Sequence, residues 1–86
     1  MKRIIESEEQ SGLESLLGEN VLLMCANYFY TGKLTGVNTD SVELTSPSIV
    51  YETGQWSNKA YADVQKLHVE KWYVKIAAIE SFGMSK

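Results

Sequence analysis

Two glycines inside one strand-like stretch constrain this chain more than any other feature. Residues 30–44 read YTGKLTGVNTDSVEL. The segment has strand character up to Val37, breaks at Asn38, Thr39, Asp40 and Ser41, and resumes with Val42 and Leu44 in alternation. Glycine in a strand interior weakens the strand, so it marks a sharp bend or a close backbone approach. A strand that wraps a very small barrel needs such points, and Gly32 and Gly36 supply them.

The rest of the chain fits around this hairpin. Ser7 with Gln10, and Ser11 with Glu14, have capping-box spacing, and Leu13, Leu16 and Leu17 share a helical face. Gly18 is a natural stop. A short amphipathic helix is therefore expected over about residues 8–17. The acidic run Glu6, Glu8 and Glu9 suits its N-terminus. From Glu19 the period changes to two. The stretch NVLLMCA is apolar on both faces, which predicts a strand covered on both sides, with the helix available to cover one. Further strands are expected over Phe29–Val37 and from Ser41 to about Thr45. Pro47 interrupts the latter, because proline cannot donate to a ladder, and IVYE resumes it. Residues 53–71 are irregular, with helical spacing of Tyr61, Val64, Leu67 and His68. In KWYVKIAAIESFG, Trp72, Val74 and Ile76 alternate, and Ile79 and Phe82 continue after a bend at Ala77–Ala78. Five short strands at this spacing predict an all-β fold, a small, strongly bent antiparallel barrel with a short N-terminal helix.

With 86 residues the chain is one domain, small enough that assembly would help to stabilise it. The longest apolar run, Val21 to Ala26, is too short for a membrane span. The basic start of MKRIIESEEQ turns acidic at once, unlike a secretory signal. The single cysteine, Cys25, allows no internal disulfide and suits a reducing, cytoplasmic setting. The net charge is −3, which speaks against a dominant polyanion-binding surface.

Chemistry-bearing patterns are sparse. His68 has only Glu70 nearby in sequence, short of the convergent set that a metal or acid–base site needs. Cys25 lies in the most apolar strand, where a thiol is buried and inert. No phosphate-binding loop or nucleophile motif is present. The expectation is no enzyme, no metal and no cofactor.

The residues do resemble one known family, the Sm-like proteins (the Sm, Lsm and Hfq superfamily). Its first segment is matched by Gly18, Val21, Leu23, Gly32, Leu34 and Val37, with Asn38 where aspartate is usual, followed by Val42 and Leu44. Its second segment, apolar-Arg-Gly, is matched only loosely by Val74-Lys75-Ile76 followed by Ile79. The resemblance implies an Sm-like, SH3-like barrel in which residues 53–71 are a variable loop insert. It also implies a closed homo-oligomeric ring, with the fourth strand of one subunit paired to the fifth of the next. Trp72, Tyr73, Val74, Ile79 and Phe82 are then expected at that interface. Pore-side loops would hold single-stranded RNA, here Asn38, Thr39, Asp40, Ser41 and Lys75.

Each of these residues also has a plainer reading. Asn, Asp and Ser bond their own backbone and suit a turn for that reason alone. Asp40 would repel phosphate, and Lys75 is equally a solvent-facing strand lysine. Tyr28, Phe29 and Tyr30 would suit base stacking but also suit a core. Trp56 and Tyr61 in the insert fit either a protein-partner surface or a loop packed on its own sheet. Two functions therefore stand side by side: a ring that binds short single-stranded RNA, and a scaffolding ring that binds protein partners and has lost RNA binding.

Overall fold

The computed structural model describes residues 12–86 and is all-β. Its strands are β1 (Asn20–Cys25), β2 (Phe29–Val37), β3 (Ser41–Glu52), β4 (Asp63–Lys66), β5 (Lys71–Lys75) and β6 (Ile79–Met84). The antiparallel sheet runs β4-β3-β2-β1-β6, and β5 pairs with β3 beside β4. Of the helix expected over 8–17, residues 8–11 lie outside the described residues. Gly12–Leu16 forms a 3-10 turn, and Leu13 and Leu16 pack it against the core.

Six strands are found where five were expected, because the 53–71 insert contains β4. The helical spacing of Tyr61, Val64 and Leu67 yields to strand pairing. All four β4 side chains are exposed, so no apolar face drives a helix, while the β4 backbone pairs with β3 from Ser48↔Lys66 to Glu52↔Asp63. The first half of β3 pairs with β5 on the same side, from Ser41↔Lys75 to Thr45↔Lys71. β4 and β5 thus lie end to end along one edge of the sheet, and β6 forms the other.

Pro47 does not end β3. The strand runs through it by means of a bulge. Thr31 pairs with Ser48 and Lys33 with Thr45, so Ser46 and Pro47 together oppose Gly32. Ser46 takes a left-handed conformation, φ 54°. Its N–H donates to the Glu70 carbonyl (3.0 Å), and the Pro47 carbonyl accepts from Leu67 (2.9 Å). A Cβ on Gly32 would stand 3.2 Å from both Pro47 Cα and the Thr45 carbonyl oxygen. The close approach expected of a strand glycine is found here.

One face of the sheet closes over Val21, Leu23, Leu34, Val42, Leu44 and Val74. The other is also apolar. Register places Val64, Val50, Phe29 and Met24 in one line across four strands. Leu22, on this second face, is only 4% exposed although it lies outside the core cluster. Trp56 of the insert shares a cavity of about 150 Å³ with Leu22 and Met24. Among the described residues, the second cover of β1 therefore comes from the insert. Beyond β5, the 3-10 turn Ile76–Ala78 makes the bend expected at Ala77–Ala78 and delivers Ile79 opposite Cys25. Among the described residues no helix is long and apolar enough to cross a membrane.

Candidate functional site

The β2–β3 turn and the end of β5 meet. Within the turn, the Asn38 N–H donates to the Ser41 carbonyl at 2.8 Å. The Asp40 carbonyl accepts from the Ile76 N–H at 2.8 Å, and Ser41 is the register partner of Lys75. Two stretches 34 residues apart, which only the family resemblance had linked, are thus joined by backbone hydrogen bonds. Asn38, Thr39, Asp40 and Lys75 are exposed and Ser41 is half-buried. Among the described residues Lys75 has no carboxylate partner, the one ion pair being Lys71 Nζ with Glu43 Oε2 at 3.4 Å.

The residues expected at a subunit interface divide. Val74 faces the core and is buried; Trp72 and Ile79 are half-buried against that core. Phe82 is opposite Leu23 in register and so lies on the core face of the sheet, yet it is 43% exposed. Met84, opposite Val21, is exposed in the same way. Among the described residues the core runs out to the β6 edge without a cover. At the other edge, a groove of about 400 Å³ opens along β5. Trp72, Tyr73, Val74 and Lys75 form one wall, and Cys25, Tyr28 and Tyr30 lie across from them.

Tyr28 makes edge contacts with Tyr30 (centroids 6.4 Å apart) and Tyr51 (6.1 Å), so the tyrosines of this corner support one another. Burial pushes the Cys25 thiol above its ordinary value, and a thiol of that kind is a poor nucleophile. His68 is exposed. Among the described residues no three His, Cys, Asp or Glu side chains gather at one point.

Sequence reasoning missed a polar cluster on the outer face of β2, β3 and β5. Glu43 accepts from Thr35 Oγ1 (2.7 Å, to Oε2) and from the Tyr73 hydroxyl (3.1 Å, to Oε1), and pairs with Lys71. Its members lie on three strands, and only their register brings them together. The hydrogen bond from Thr35, then that from Tyr73, then the charge of Lys71 hold the Glu43 carboxyl below its ordinary value. A carboxyl lowered in the folded state stabilises the fold above its unfolded pKa, and this contribution is lost as pH falls through the folded value. Glu43→Gln is therefore expected to flatten the acid side of the stability–pH curve, with a small effect because the site is open to water. Urea melts of both proteins from neutral pH down to about pH 3 check this; parallel curves would refute it.

Compared with protein-family models, curated proteins and solved structures, the chain matches none. The reading of its function therefore rests on its own geometry and on the sequence resemblance.

Proposed function

We propose that this chain is a ring-forming module of the Sm-like type, which binds short single-stranded RNA and carries out no covalent chemistry. The observation that carries the proposal is the match between the two sheet edges that have no partner among the described residues. Set antiparallel, β6 of one copy pairs with β5 of the next so that Phe82 meets Val74 and Met84 meets Trp72. Apolar residues then face apolar ones on the core side. In the same register Tyr73 lies over Gly83, an aromatic covering an edge glycine. Alternate side chains of a strand point to opposite faces, so a slip of one residue would set Phe82 opposite Tyr73 or Lys75, off the core side of β5. β4 offers no such match, since Gln65 takes its core-side position, opposite Ile49. The two edges are different surfaces, so the contact is head-to-tail and generates a ring where the rotation closes. It would bury the exposed edges and turn the open sheet of each copy into a closed β wall. A reducing cytoplasm would keep the lone thiol free.

The RNA part rests on the joined turn and β5 end. In a ring this pair repeats in every subunit, giving each copy an amide, two hydroxyls and a lysine that has no ion-pair partner among the described residues. Such groups can read the edge of an unstacked base and hold its phosphate. Asp40 opposes this and sets a sign for the test. With the assembled protein, labelled U-rich or A-rich single-stranded RNA should bind saturably in fluorescence anisotropy. Lys75→Ala should weaken binding about tenfold and lower the salt slope by about 0.7 per lysine lost. Asp40→Asn should tighten binding. A chain that stays monomeric at micromolar concentration would remove the ring. A ring that binds neither RNA at low salt would remove the RNA role and leave a scaffold for protein partners.

A further inference from the structure

The 53–61 loop holds a lysine in a way that has no part in the reading above. Lys86 Nζ lies 5.0 Å from the centre of the Trp56 ring and 5.1 Å from that of Tyr61. It donates to the carbonyls of Thr53 (2.7 Å) and Gln55 (2.9 Å). The two carbonyls flank Gly54, whose φ of 72° is the left-handed turn that lets them converge. The Tyr61 hydroxyl is 2.7 Å from Ser85 Oγ, and Thr31 Oγ1 donates to the same oxygen at 3.1 Å. Loop, β2 and the end of β6 are thus tied at one place.

We propose that this loop is a cage for an alkylammonium group, filled in cis by Lys86, and that the filled cage holds the loop closed over the second face of the sheet. The chemistry of the cage is specific. Among the described residues its acceptors are two ring faces and two neutral carbonyls, with no carboxylate in an ion pair with Lys86. Ring faces attract a cation through their quadrupole, and an ammonium has three donors to spend on carbonyls. A neutral amide of similar length could donate to the carbonyls but would bring no charge to the ring faces. The consequence follows from Trp56. The same indole that takes the Lys86 charge shares a cavity with Leu22 and Met24, and Leu22 is nearly dry beneath it. Losing the ammonium frees Trp56 and wets this apolar strip. A modification that neutralises the amine, such as acylation, would have the same effect, because it removes both the charge and the cation–π contact.

Hydrogen exchange of the full chain, read over residues 53–62 by mass spectrometry, tests this. Lys86→Ala and the neutral Lys86→Gln should both speed exchange in the loop, about tenfold or more, with the β1–β3 amides unchanged. Added n-butylammonium should restore protection to Lys86→Ala saturably, and n-butanol should not. Three results would each overturn the proposal: unchanged loop exchange in Lys86→Ala, full protection in Lys86→Gln, or rescue by butanol equal to that by butylammonium. The readout does not depend on RNA or on assembly, so it stands or falls apart from the ring.

Discussion

Gly32→Val is expected to cost about 3 kcal/mol of stability, the upper end of what overpacking usually costs. The reason is which atoms stand in the way. A Cβ at Gly32 would lie 3.2 Å from Pro47 Cα and 3.2 Å from the Thr45 carbonyl oxygen. Both are backbone atoms, held by the bulge and by the hydrogen bonds that tie Ser46 and Pro47 to the 67–70 connection. Neither can rotate aside as a side chain would. Valine adds two methyl groups to that clash in the middle of the sheet. Gly32→Ala should cost about 1 kcal/mol by the same reasoning. Gly36 is the contrast, because its neighbours are side-chain atoms of Glu43. Gly83→Ala is the control within the single chain, with nothing within 4 Å; both glycine variants are compared in a Phe82→Glu background, so that the proposed edge contact plays no part. A domain of this size is stabilised by roughly 4–13 kcal/mol in all, so Gly32→Val should lower Tm by about 12–24 °C. Thermal melts at a fixed protein concentration check the order, which matters because assembly would make Tm concentration-dependent. Gly32→Val melting with Gly83→Ala would show that the bulge yields and that the glycine is not required.

That glycine was legible because glycine in a strand has few physical excuses. Strand character made β2 legible over its full length, and alternation placed Trp72, Val74 and Ile76 on one side of the chain. Pro47 misled, because a missing N–H ends a strand only where the ladder needs that donor. At the bulge the ladder with β2 skips it. β4 was illegible for a related reason. None of its side chains is buried, so no hydrophobic pattern reports on it; its backbone partner, 14 residues away in Val50↔Val64, decides its conformation. The turn at Asn38–Ser41 was readable from its residue types, but its junction with Lys75 came only through the family resemblance. The Lys86 cage had no local signal at all. Trp56 and Tyr61 stood out as aromatics in a polar stretch, while the cation that fills the space between them lies 25 residues further on.

Phe82→Glu should convert the proposed ring to monomers while leaving the fold intact. Trp72 and Ile79 pack against the core of their own subunit, so a charge at either would disturb folding and assembly together. Phe82 separates the two. It stands on the core side of the edge strand but is 43% exposed in the single chain, so a glutamate there can turn to water in the monomer. In the proposed pairing it would instead be driven against Val74 and the tyrosines of the neighbouring groove. Burying an unpaired charge costs on the order of 3 kcal/mol or more, which is at least a hundredfold in each edge association constant. Sedimentation velocity should then report about 9.7 kDa, the mass of one chain, with an unchanged far-UV spectrum and a melting temperature that no longer depends on protein concentration. The register has its own test. Tyr73→Cys combined with Gly83→Cys places two thiols opposite each other between copies, within the reach of a disulfide. Mild oxidation should then give a ladder of covalent multimers that ends at the ring. Cys25, buried and with its thiol pushed upward, should not compete. Gln65→Cys in place of Tyr73→Cys should give none, because β4 is not the partner edge. Multimers from the Gln65 pair, or an intact assembly in Phe82→Glu, would move the interface elsewhere on the molecule. The turn at Asn38–Ser41 would then have no reason to repeat around a common axis, and the case for RNA would lose its geometric support along with the ring.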